Sequence, residues 1–132
     1  MPSRSPVAWD VLRWIMALWF FSGGFVVLGH TFLGHPRFPP VPPAAQSLLD
    51  AFQESGFLYP LLAAVYLIGG GALFMRRTAP LGLVMLAAPI GVIVGFHVML
   101  SRMYAVAALL VLGYLPLCWH ERDRLACLWR KR

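Results

Sequence analysis

Two histidines, His30 and His97, stand toward the ends of long apolar runs, where an imidazole can exchange protons near neutral pH. A tyrosine or arginine beside such an imidazole can hold a carbonyl or an oxyanion, which is what a quinone or a small acidic ligand would need. Chain connectivity supplies several partners at the same end: Arg102, Tyr104, Tyr59 and Glu54, with His35 and Arg37 on the adjoining loop. Tyr66 shares one helical stripe with Tyr59, Ala63 and Gly70 and can point a hydroxyl into the same region from below. Together these residues would make a polar pocket. The histidines equally fit a plainer role, bonded to lipid headgroups, water or backbone.

Other chemistries lack their residues. Two histidines without a cysteine or carboxylate at ligand spacing fall short of a zinc set, so no metal is expected. Cys118 and Cys127 form no CxxC pair and are read as free thiols. There is no Ser, His and acid trio, no phosphate loop and no His-Glu zinc motif, which removes hydrolytic and nucleotide-driven reactions.

The elements that must position these groups follow from composition. Of 132 residues, 60% are apolar and 12% charged, against roughly 45 to 50% and about 25% in soluble domains. A globule this small cannot hide that excess, and the mean hydropathy of +0.73 agrees. A water-soluble monomer is excluded, and the lipid bilayer is the expected partner. The net charge of +6 then records membrane orientation. Nucleic acid is not expected as a partner, because no basic patch has the spacing of a known module.

Four segments approach the roughly 20 residues that cross a hydrocarbon core of about 30 Å. They cover about 11–30, 57–75, 81–100 and 103–119, and the connectors at 76–80 and 101–102 are short enough to force an up-and-down order. The runs are continuously apolar, not alternating, which argues against a barrel. The expected fold is all-α: an integral membrane antiparallel four-helix bundle in a single domain. The first run carries no convincing cleavage signal and is read as retained.

Between the first two spans lies a loop at 31–56, crowded with Pro36, Pro39, Pro40, Pro42 and Pro43. Its second half, Ala44 to Glu54, spaces Leu48, Leu49 and Phe52 for a short interfacial helix. In the basic tail at 120–132, Leu125, Leu128 and Trp129 can dip into the opposite interface. Nine of the 11 Lys and Arg residues fall on the side of the termini and the second connector, and only Arg37 and Arg102 fall on the other. Both termini are therefore expected in the cytoplasm. Arg13, beside Trp14 in the first turn of span one, is expected to snorkel to that interface, and most of the five tryptophans gather there as an aromatic belt.

Helices in lipid approach one another through small residues. Gly23 and Gly24, Gly69 and Gly70, and the four-residue steps Ala87, Gly91 and Gly95 are the expected contacts. Pro89 and Pro116 each free a carbonyl inside a span and can bend it.

The order of these signals resembles the DoxX-like family of small four-helix bacterial membrane proteins, over Val11 to Leu112. The resemblance rests on Leu12-Arg13 and Phe21-Ser22-Gly23-Gly24-Phe25. It continues through Ser55-Gly56-Phe57-Leu58-Tyr59-Pro60, Leu67-Ile68-Gly69-Gly70, Pro80-Leu81-Gly82-Leu83, Pro89-Ile90 and Phe96-His97. Similar proteins usually have a glutamate before the span-two glycines and often an asparagine between the Pro-Ile and Phe-His pairs. Tyr66 and Ile93 stand in those places here. The resemblance implies a bacterial inner-membrane protein. For some relatives it implies quinone-linked redox or oxidative-stress chemistry, with a quinone as the cofactor to look for. The alternative is a non-catalytic scaffold or assembly partner, acting on another membrane protein or as a homo-oligomer.

Overall fold

The structure is a computed structural model, and it describes residues 6–33 and 41–129. Among these residues every regular element is helical. In chain order they are α1 (Pro6–Leu33), α2 (Pro43–Glu54), α3 (Leu58–Phe74), α4 (Ala79–Gly95), a π-helix (Phe96–Leu100), α5 (Tyr104–His120) and α6 (Arg122–Trp129).

Residue pairing fixes how the long helices run. Gly24 meets Leu67, Gly70 meets Ala17 and Phe21, and Arg13 meets Leu73, so numbers fall along α1 as they rise along α3. Gly69 against Leu86 and Gly82 against Leu73 give the same antiparallel sense for α3 and α4. The Met16–Gly113 and Trp9–His120 contacts bring α5 back antiparallel to α1. Tyr114 of α5 donates to the Leu83 carbonyl of α4 at 2.7 Å, which closes the ring of four helices.

Inside the ring lie Met16, Ala17 and Phe20 of α1, Tyr66 and Leu73 of α3, Leu83 and Leu86 of α4, and Leu110 and Leu117 of α5. The outward faces are just as apolar: Trp14, Ile15, Leu18, Leu61, Ile68, Val92, Leu109 and Leu112 are exposed. A water-soluble monomer does not carry apolar surface on this scale, and the helices suit contact with lipid. Val7–Leu33 and Ala79–Leu100 are long and apolar enough to cross a membrane. The pair α2 and α3 passes the same test jointly but is bent by 91°, and Tyr104–His120 is a shorter apolar helix.

Two glycines make the ring this tight. A Cβ at Gly70 would lie 2.7 Å from the Phe21 nitrogen, and one at Gly82 would lie 2.7 Å from the Gly69 carbonyl oxygen. Backbone cannot give way as a side-chain tip can, so both positions require hydrogen in place of a methyl. Gly24 and Gly69 abut Leu67 and Leu86, and Gly23 meets the Tyr66 ring at 3.5 Å. Gly91 and Gly95 correct the expected contacts: a Cβ at either would meet nothing within 4 Å. Ala87 is exposed beside them. The cause is rotational, because α4 turns Gly82 and Leu86 toward α3 and its other small stripe outward.

Helix ends differ from the sequence expectation in a few places. The first helix begins at Pro6, before the expected start, and the third apolar run ends in the π-helix, whose Ser101 N–H donates to Phe96 O at 3.0 Å. Pro89 and Pro116 lie within α4 and α5, which continue through them. The corner between α2 and α3 turns on Gly56 at φ +71°, a conformation that side chains disfavour. His35, Arg37 and three of the loop prolines, Pro36, Pro39 and Pro40, lie outside the described residues, as do the side chains of Leu128 and Trp129.

Candidate functional site

At the loop end of the ring, a recess of about 190 Å³ opens between the last turn of α1, the end of α2 and the start of α3. His30, Thr31, Gln53 and Tyr59 bring polar groups to it, and Phe52, Gly56 and Pro60 complete its wall. The Phe52 ring meets Tyr59 edge-on at 6.1 Å, which holds α2 over α3. The expected grouping of His30 with Tyr59 is therefore present.

The other expected members do not line this recess. His97 lies in the π-helix, and its Nδ1 is 2.8 Å from the Ile93 carbonyl one turn back. A carbonyl only accepts, so Nδ1 donates and the imidazole is tied to its own helix. Tyr66 is buried in the core, edge-on to Phe20 at 5.3 Å. Seven residues separate it from Tyr59, or about 10 Å along a helix. Glu54 is exposed, and Arg102 is exposed with φ at +56° in the turn before α5. Beside it, among the described residues, Ser101 Oγ is the one buried side-chain polar atom without a hydrogen-bond partner.

The larger polar site is at the opposite end, where sequence reasoning placed only anchors. Its cavity, about 350 Å³, is lined by Trp9, Asp10 and Arg13 of α1, Arg76 of the α3–α4 turn, Leu117 and His120 of α5, and Glu121, Asp123 and Arg124. Arg13 does not snorkel outward. It is 6% exposed, and its Nη1 donates to the Leu73 carbonyl while Nη2 donates to Asp10 Oδ1 at 3.1 Å.

The last turn of α3 explains this placement. Carbonyls in a final helical turn have no amide partner within the helix, and they carry the negative end of its dipole. Thr78 Oγ1 donates to Ala72 O at 2.7 Å, and Arg13 reaches the next carbonyl from across the ring. Asp10 then bridges Arg13 to Arg76, whose Nε donates to Oδ1 at 2.9 Å and whose Nη2 donates to Oδ2. Hydrogen bonding to Asp10 holds the Arg76 proton above its ordinary pKa.

The α6 segment joins the same network. Arg124 Nη1 donates to Arg76 O at 2.9 Å and to Glu121 Oε2 at 3.3 Å. Trp9 stacks on His120 with centroids 4.5 Å apart. The signal available in the sequence was one acid three residues before an arginine inside an apolar run, Asp10 and Arg13, facing a distant Arg76. Among the described residues no group of three or more His, Cys, Asp or Glu side chains is placed to hold a metal. No protein-family model, curated protein or solved structure matches this chain.

Proposed function

We propose that this chain is a DoxX-like integral protein of the bacterial inner membrane, a four-span bundle with both termini cytoplasmic, that serves as a non-catalytic scaffold or assembly partner. One observation carries the scaffold role. Two of the residues expected in a proton-transferring pocket are spent on the fold instead, His97 tied to Ile93 and Tyr66 in the core, and the buried Arg13 likewise holds α1 to α3. The outward stripe of Ala87, Gly91 and Gly95 and the basic tail offer a partner helix a close approach and a charged contact.

Orientation is supported by the bias of Lys and Arg toward the terminal end. A periplasm-active reporter fused to the C-terminus should stay inactive, and export of that reporter would overturn the topology.

A second reading, quinone-linked redox chemistry, is favoured by the recess alone. His30 and Tyr59 border it with Thr31 and Gln53, a polar lining of the size and chemistry that a quinone carbonyl would meet without His97. When bound, a quinone would supply the two-electron chemistry that the chain's own side chains lack. Affinity purification from native membranes in mild detergent separates the two readings, with the lipid extract analysed for quinone and the protein fraction for stoichiometric partners. The scaffold role predicts a stoichiometric partner and no retained quinone. Quinone retained by the native chain and lost in Tyr59→Phe or His30→Ala would replace it with the redox role.

A further inference from the structure

We infer that the cavity at the terminal end binds the phosphate group of an anionic phospholipid from the cytoplasmic leaflet. This rests on the membrane reading above and adds a specific ligand to it. Three guanidinium groups from three separate elements line the cavity: Arg13 from α1, Arg76 from the α3–α4 turn and Arg124 from α6.

Their internal partners do not exhaust them. Asp10 is shared by Arg13 and Arg76, and Glu121 pairs with Arg124. The third lining carboxylate, Asp123, is 94% exposed and lies 3.8 Å from Arg122, a residue outside the cavity wall. Asp123 thus stands apart, and the hydrogen-bonded network of the wall sets three guanidiniums against two carboxylates. Among the described residues, Arg76 Nη1 and Arg124 Nε and Nη2 have no acceptor within the chain, and both side chains are more than half exposed, which leaves these donors open to a ligand from outside. These are donors on two neighbouring side chains, linked through the Arg76 carbonyl, and guanidinium forks suit phosphate oxygens.

Position selects a lipid over a dissolved anion. The cavity lies where α1 begins and α5 ends, at the level of the exposed Trp119, and Trp9 and Leu117 give it apolar wall against which a glycerol backbone can rest. In a cytoplasmic leaflet the nearest abundant phosphates belong to lipid, and basic pockets at that depth recognise anionic headgroups. The positive excess favours a lipid of net negative charge over a zwitterionic one carrying the same phosphate.

Native mass spectrometry of the full chain, released from micelles holding equimolar phosphatidylglycerol and phosphatidylcholine, tests this directly. One phosphatidylglycerol adduct per chain is expected. Arg124→Ala should weaken it about tenfold, the factor that accompanies loss of one charge-assisted hydrogen bond. Arg77→Ala removes the same charge from the exposed α3–α4 turn outside the cavity wall and should leave the adduct unchanged. Equal losses in both variants would reduce the effect to general surface attraction and overturn the site. So would a phosphatidylcholine preference or no adduct in the native chain, whatever the variants do. Displacement of the adduct by millimolar inorganic phosphate would make it a free-anion site, not a lipid one. Alkaline carbonate extraction distinguishes the underlying reading: release of the chain from membranes defeats the membrane assignment itself. Retention without an adduct defeats only the lipid site.

Discussion

The two ends of this helical ring hold polar residues in opposite ways. At the loop end His30 and Tyr59 border a recess of about 190 Å³, and His97 is satisfied one turn away within its own helix. At the terminal end Asp10, Arg13, Arg76 and Arg124 bind four elements to one another across the chain. The difference lies in sequence separation. Bonds between residues 60 or 66 positions apart hold the tertiary arrangement, whereas a bond to the fourth residue back holds only its own turn. Charge buried in an apolar molecule is therefore placed where helix ends leave carbonyls unpaired, and the terminal end supplies the carbonyl that Arg13 needs.

Substitutions can break this contrast, beginning with its strongest member. Arg13→Ala should cost about 3 kcal/mol, because it strips the Leu73 carbonyl and Asp10 of a charged donor and removes a packed aliphatic stem. Thermal unfolding in detergent measures the loss, and a stability unchanged within error would mean that the terminal network is ornamental. Gly70→Ala, between the two ends, should cost about 2 kcal/mol, since its methyl would meet the α1 backbone. Gly91→Ala on the open stripe should instead be neutral or gain about 0.5 kcal/mol from helix propensity. A cost at Gly91 as large as that expected at Gly70 would contradict the rotation of α4. His97→Ala should cost about 1 kcal/mol, the worth of one local hydrogen bond, and should leave assembly with a partner intact in the purification described above. Loss of the partner in that variant would return functional weight to the loop end.

The sequence was most legible where hydropathy alone decides structure. The apolar runs ending near Met75 and beginning near Leu81 became α3 and α4, and the spacing of Leu48, Leu49 and Phe52 became α2. Continuous apolar stretches can satisfy their backbone only by local hydrogen bonding, and that information lies within each segment. The candidate pocket was legible only in part. Connectivity brought His30 to Tyr59, but His97 and Arg102 depend on how far the last turns of the third run rotate, and the π-helix changes that rotation.

Composition and periodicity by themselves determined that this chain is helical, too apolar for water as a monomer, and basic toward its terminal end. Tertiary structure alone decided which glycines touch a neighbour and which face outward, because Gly82 and Gly91 are alike in sequence and differ only in the face of α4 they occupy. It also decided that Arg13 turns inward. A guanidinium two turns into a helix can reach toward water or to a distant carbonyl, and the choice belongs to whichever helix end the fold sets beside it.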